Sequence, residues 1–256
     1  MKGCRNICGD SLRVMRVSGM ETDHVRHDPV GFPMVWVPDI RAFVHCLPVT
    51  KIQFEQFLCD ARDGHFNAPW YDEALRLNPR TTARRIVAGN YWNAFLTGIL
   101  PFEAERFAAW CGEGYRLLEE GEWQSFFGTM KLWNIRSLAD LGILSGLGPR
   151  QRELIESIEK SVEEVCTASG EKCDLEVRML LRLGVMEWVS IRGREDHRWG
   201  GVGEPHPTFC GNLFSPEKGE LILLREPESR RLPSFGFRLA FDPSVARDAK
   251  PGTVGA

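Results

Sequence analysis

The sequence has no apolar run long enough to cross a membrane, no two cysteines at C-x-x-C spacing, no large excess of either charge, no internal repeat and no low-complexity tract. Each absence excludes something. Without a run of about 20 apolar residues no transmembrane helix is expected. Lys and Arg total 32 against 35 Asp and Glu, a net charge of −3, so nothing in the charge balance points to a polyanion such as nucleic acid. The eight cysteines, at 4, 8, 46, 59, 111, 166, 173 and 210, lack the spacing of a zinc knuckle or a redox pair. The opening MKGCRNICGDSLRVMRVSG has no apolar centre of a secretory signal, so the expectation is a cytoplasmic protein whose cysteines stay reduced. Cys46, Cys59 and Cys111 lie in apolar-periodic stretches and are expected to be small buried hydrophobes.

What is present is ample core material: 43% hydrophobic residues, with 15 Phe and 8 Trp among 256 residues, enough for one large domain or two small ones. Residues 1–30 are polar and weakly patterned and read as an N-terminal arm or edge segment. Met34 to Pro38 is β-branched and aromatic and closed by proline, a strand signal. Thr50 followed by Gln53 forms a capping-box pattern for a helix with Ile52, Phe54, Phe57 and Leu58 on its apolar side. Residues 60–93 mix Pro, Gly, Asn and aromatics and read as irregular. Pro101 suits the first position of a helix, in which Ala104, Phe107, Ala108 and Cys111 share one face and which Gly112 and Gly114 end. A short extended piece at Tyr115–Leu118 precedes a helix from Glu119 to Phe127, with Gly128 as its expected cap.

Residues 130–183 read as a helical insertion. Gln151 to Cys166 puts Leu154, Ile155, Ile158, Val162, Val165 and Cys166 on one side, and such a face covers either its own domain or a partner. Leu175 to Leu183 fits helix or strand. Strand-like runs follow at Glu187–Ile191, Leu221–Arg225 and Phe235–Phe241. Residues 243–256 read as a disordered tail.

Five segments in order carry a resemblance. Pro33–Pro38 (PMVWVP) is similar to an opening strand. Pro48–Leu58 (PVTKIQFEQFL) resembles an "EVTNAQYxxFL" helix. Ala104–Phe127 resembles "DAxAYCxWxGxRLPTEAEWExAA", with Arg116, Leu117, Glu120, Glu122 and Trp123 in register. Gly184–Ser190 (GVMEWVS) resembles "GNVWEWVSD", and Phe235–Ala240 (FGFRLA) resembles a closing "GFRLA". Together they resemble the formylglycine-generating enzyme (sulfatase-modifying factor) family over about residues 33 to 242. The resemblance implies an α+β, C-type-lectin-like fold with little regular structure, a few short helices and a small antiparallel sheet. The domain is then expected over 31–242, with the 130–183 helices inserted. Trp123 and Trp188 are expected as buried anchors, and Arg238 as the partner of a buried carboxylate, Glu122 or Glu187.

The resemblance also defines what the chemistry requires. These enzymes oxidise a substrate cysteine with two cysteines that bind copper(I) near the closing motifs, and soft thiolates select that ion. No cysteine lies between Gly211 and Phe235, and Cys210 stands alone before the stretch. The calcium-site asparagine of the family is replaced by Gly184, although Glu187 remains. The H-x-x-x-H-x-E set of iron-dependent relatives is missing too; His24 and His27 have no following Glu and read as surface residues. A metal held by His197, His206 and Cys210 has no support in spacing. The expectation is therefore no metal, no cofactor and lost catalysis on a retained scaffold. Domains of this kind also serve as binding modules, including hypervariable receptors and components of bacterial conflict and defence systems. A protein or peptide partner is expected at the loop carrying Arg192, Arg194, His197, Arg198 and Trp199, residue types favoured at interfaces. The alternatives are an active cysteine-oxidising enzyme with relocated ligands using Cys210, and a retroelement-diversified receptor with its variable positions in 190–236.

Overall fold

The computed structural model describes residues 24–60, 69–79, 83–86, 91–132, 144, 146–168, 185–191, 199–202, 222–223 and 231–248. The class is α+β, with two sheets and helices on their flanks. The larger sheet has strand order β1-β2-β3-β9-β4, from β1 (Val25–His27), β2 (Pro33–Val37), β3 (Ala42–His45), β9 (Leu239–Phe241) and β4 (Tyr115–Leu117). All its pairings are antiparallel, including Val35↔Val44 and Arg116↔Ala240. The smaller sheet has order β7-β6-β5-β8, from β7 (Ile222–Leu223), β6 (Trp199–Val202), β5 (Met186–Ser190) and β8 (Phe235–Gly236), with only β5 and β8 parallel.

The strand expected over Phe235–Phe241 is two strands in different sheets. The chain crosses between them at Phe237 and Arg238. Arg238 ties the crossover down. Its Nε and Nη2 donate to the two oxygens of Glu187 in β5 at 3.0 and 2.8 Å, and its Nη1 donates to the His45 and Cys46 carbonyls at the end of β3. One guanidinium thus satisfies groups from both sheets, and the ring of Phe126 lies 5.1 Å from it. Of the two carboxylates expected for this role Glu187 is the partner, while Glu122 pairs with Arg116.

Helix α1 (Lys51–Cys59) begins with the expected capping box. The Thr50 hydroxyl accepts the Gln53 N–H, and the Gln53 side chain accepts the Thr50 N–H. Gln53 also donates to Asp28 at 2.7 Å, so the cap is joined to the first strand pair. Asp28 accepts the N–H groups of Val30 and Phe32 and is bonded to His45 Nε2 at 3.0 Å. Burial alone would raise the Asp28 carboxyl; the bond and charge of His45, the Phe32 amide and Gln53 outweigh it and hold its pKa below the ordinary carboxylate value. These contacts place β1 as an edge strand inside the stretch read as an arm or edge segment (1–30), ahead of the domain start expected at 31. Of the two histidines read as surface residues, His24 is exposed, whereas His27 is half-buried with an unpartnered Nε2.

Helix α2 (Pro69–Leu77) falls inside the stretch read as irregular. Proline, aromatics and Asp obscured its start, although Pro69 occupies a position where the missing N–H costs nothing. Helix α3 (Pro101–Cys111) follows the expected pattern, burying Ala104, Phe107, Ala108 and Cys111. Its Phe107 stacks against Phe54, Phe57 and Phe237 with centroids 5.6–5.8 Å apart. Helix α4 (Glu120–Leu132) runs through Gly128 instead of ending there. A glycine in a helix interior costs about 1 kcal/mol relative to alanine but does not terminate it.

Helix α5 (Pro149–Ala168) carries the apolar face of the insertion. Leu154, Ile155, Ile158 and Val162 are buried in one cluster with Val30, Val35, Tyr91, Trp123 and Phe126, and Gln151 donates to the Val30 carbonyl at 2.8 Å. The face packs on its own domain. Val165 and Cys166 lie outside the described side chains, as do residues 169–184 altogether. The tail expected to be disordered begins with a helical turn, α6 (Val245–Asp248), whose Ala246 packs on Met34, Phe43 and Phe241. Among the described residues no helix is long and apolar enough to cross a membrane.

Candidate functional site

The two sheets approach each other where β4 meets β5. Gly114 turns the chain from α3 into β4 at φ +87°, and a Cβ there would stand 2.7 Å from the Asp242 carbonyl oxygen, so a side chain is excluded. β4 then presents Arg116 as a half-exposed cation. Its Nη1 and Nη2 donate to Glu122 at 2.6 and 2.7 Å, and Glu122 also accepts the Glu119 N–H at 2.9 Å at the start of α4. The Ser190 N–H donates to the Leu118 carbonyl at 2.9 Å, joining the end of β5 to the end of β4.

Between these elements is a cleft of about 380 Å³. Glu105, Ala108 and Ala109 of α3 form one wall, Tyr115, Arg116 and Leu117 of β4 the base, and Glu119, Ser190 and Trp199 the far side. Carboxylates, a held cation and aromatic surface meet in one concavity. Ser190 and Trp199 are paired across β5 and β6. The expected contact residues Arg192, Arg194, His197 and Arg198 lie between these two positions in the sequence.

Arg192, Arg194, His197, Arg198 and Cys210 lie outside the described residues. Trp199 needs correction. The sequence places it as an interface anchor on a loop, whereas it opens β6 and is only 6% exposed. The glycines after it suggested a loop. They belong to a strand because the Phe235 ring fills the space beside Gly201, where a Cβ would come within 2.0 Å of it. Trp199 thus lines the cleft mainly as packed wall.

The scaffold residues are where burial demands. Trp123 and Trp188 are buried, and Trp188 Nε1 donates to the Ile99 carbonyl at 2.6 Å. Glu187 and Arg238 are buried and paired; Glu122 is half-buried at the cleft. Glu105, Tyr115, Glu119 and Ser190 were not selected from the sequence. At or beside the cleft, Arg116, Leu117, Glu122 and Trp199 carried a signal in the sequence.

Three thiols are described. Cys59 is exposed at the end of α1, contrary to the expectation that it is buried. Cys46 and Cys111 are buried, and desolvation pushes the Cys46 thiol up to about 12 and raises Cys111 as well. Both are held as neutral thiols within the core. Among the described residues no three His, Cys, Asp or Glu side chains converge as a metal site. Comparison with protein-family models, curated proteins and solved structures finds no match to this chain.

Proposed function

We propose that the chain is a catalytically inactive domain of the formylglycine-generating-enzyme type, with a C-type-lectin-like fold, that binds a protein or peptide partner through the cleft between β4, α3 and the β5–β6 hairpin. A role within a bacterial conflict or defence system is part of this reading. The observation that carries it is the cleft itself: a concavity lined by Glu105, Arg116, Glu119 and Trp199, with an arginine-rich segment joined to its edge at Ser190 and Trp199. Loops held on a rigid frame are the usual place for recognition. The absence of a second cysteine after Gly211 supports binding over oxidation, because one thiolate cannot supply a two-sulfur copper(I) site.

The test starts from a peptide display library panned on the purified full chain. Selected peptides are expected to bind the wild type and to lose about tenfold in affinity, about 1.4 kcal/mol, with Glu105→Arg and with Arg198→Glu. The thermal melt should be unchanged in both variants. Peptides that bind both variants as well as the wild type would remove the cleft as the site. Steady oxygen uptake by the copper(I)-loaded protein with a thiol peptide, abolished by Cys210→Ser, would replace the binding module with a rearranged oxidase.

A further inference from the structure

A second, smaller cavity lies between α1 and α2, away from the cleft. It encloses about 100 Å³ and is lined by Lys51, Ile52, Phe54, Glu55 and Leu58 of α1, Ala74 and Leu75 of α2, and Asn78 and Leu96. Most of that lining is hydrocarbon. Leu75 stands at its rim, 40% exposed, one of two large apolar side chains this open among the described residues. Lys51 occupies the first position of α1, directly after the Thr50 cap.

A cation in that position is poorly solvated from two directions. Apolar side chains replace part of its water, and the first turn of a helix presents N–H dipoles that repel positive charge. Burial lowers the Lys51 amine to about 8. Glu55 is the one other titratable side chain in the lining; α2 contributes only Ala74 and Leu75 there, and Asn78 and Leu96 are neutral. The neutral amine, which is the nucleophilic form, is therefore populated near neutral pH, as in lysines that react with carbonyl carbon.

We propose that Lys51 is an acceptor site for short acyl groups delivered as thioesters, with the acyl chain seated between α1 and α2. The Lys51 nitrogen attacks the thioester carbonyl; the new N–C bond forms as the C–S bond breaks. The thiolate leaves and takes up the proton that the nitrogen loses, so amine and thioester become amide and thiol with no change of oxidation state. The cavity limits the chain. A cavity of about 150 Å³ holds a benzene ring, so about 100 Å³ seats the two to four carbons of acetyl to butyryl, and a longer chain extends past Leu75 at the rim. The product removes a charge that the site solvates badly and fills hydrocarbon space with hydrocarbon.

The probe is S-acetyl-N-acetylcysteamine, and its propionyl and octanoyl analogues, incubated with the full chain and followed by peptide mass spectrometry. Lys160, whose side chain is 76% exposed in an i,i+4 pair with Glu164, is the internal reference. At pH 7.5 Lys51 should acetylate at least about tenfold faster than Lys160, a ratio that falls as pH rises toward the ordinary lysine value of about 10.4. Octanoyl transfer to Lys51 should lose that advantage. Equal or slower acetylation of Lys51 at pH 7.5 would overturn the site. An advantage that persists with the octanoyl donor would overturn the seat for the chain. Labelling at Lys160 shows that the donor is active, so a silent Lys51 counts against the proposal.

Discussion

Two of the bidentate arginine–glutamate pairs stand in contrasting surroundings. Arg238 and Glu187 stand at the centre, 0% and 2% exposed, where the chain crosses from the smaller sheet to the larger. Arg116 and Glu122 stand at the cleft, 32% and 18% exposed, with shorter contacts. Distance alone would rank the rim pair first, at 2.6 and 2.7 Å against 3.0 and 2.8 Å. Burial separates them: a buried pair cannot lose one partner without leaving a charge far from water, whereas a pair at the rim is rescued by solvent. The centre therefore organises the fold, and the rim keeps a cation in place at little energetic cost.

Breaking the centre should have the largest effect. Glu187→Ala is expected to lower stability by about 3–5 kcal/mol, measured by denaturant titration, because Arg238 is left uncompensated. The double variant Glu187→Leu with Arg238→Met should recover much of that loss. A single variant costing under about 1 kcal/mol would mean that the crossover does not depend on the pair.

The next two effects concern how far the rigid centre extends. Trp123→Ala should cost about 3–5 kcal/mol and Ile158→Ala about 2–5 kcal/mol, since both empty volume in the cluster beneath α5. A thermal melt unchanged by Ile158→Ala would detach the insertion from the core.

Acid should act on the buried network around Asp28, which joins the first strand pair to the α1 cap. The folded pKa of Asp28 lies below its unfolded value, so its contribution to stability is present above pH about 4 and is lost as pH falls through the folded value. Asp28→Asn is expected to flatten the stability profile below pH about 5. An unchanged acid limb would assign the loss to other carboxylates.

The smallest effect belongs to the rim. Arg116→Met should change stability by about 1 kcal/mol or less, while weakening the peptides selected against the cleft. Destabilisation as large as that of Glu187→Ala would erase the contrast between the two pairs.

Trp199 illustrates a further difference between these regions. As an exposed anchor it would be removable without unfolding the domain. As a buried opening residue of β6, its loss to alanine is expected to cost stability, which is why the binding test uses Glu105 and Arg198.

Much of the local structure was legible. Thr50 and Gln53 announce a cap because a hydroxyl and an amide three residues apart can answer each other's backbone without help from the rest of the chain. The buried face of α3 follows from 3.6-residue periodicity. The choice of carboxylate for Arg238 was narrowed to two and no further, because the sheet crossover that brings Glu187 to it is a long-range event. Helix α2 was missed since Pro69, Trp70 and Tyr71 are weak local evidence. The cleft was largely illegible: Glu105, Tyr115, Glu119 and Ser190 come from separate elements, and nothing in their spacing marks them as neighbours.

The residues alone determined the caps, the helix faces, the lack of a second thiol after Gly211 and the presence of a cation that needs a buried partner. Each is set by contacts within a few residues or by composition. Tertiary structure decided which glutamate answers Arg238, that Trp199 is buried in a strand, that α5 covers its own domain, and that Lys51 lines a mostly apolar cavity. Those outcomes depend on desolvation, and how much water a group keeps is known only once distant segments have closed around it.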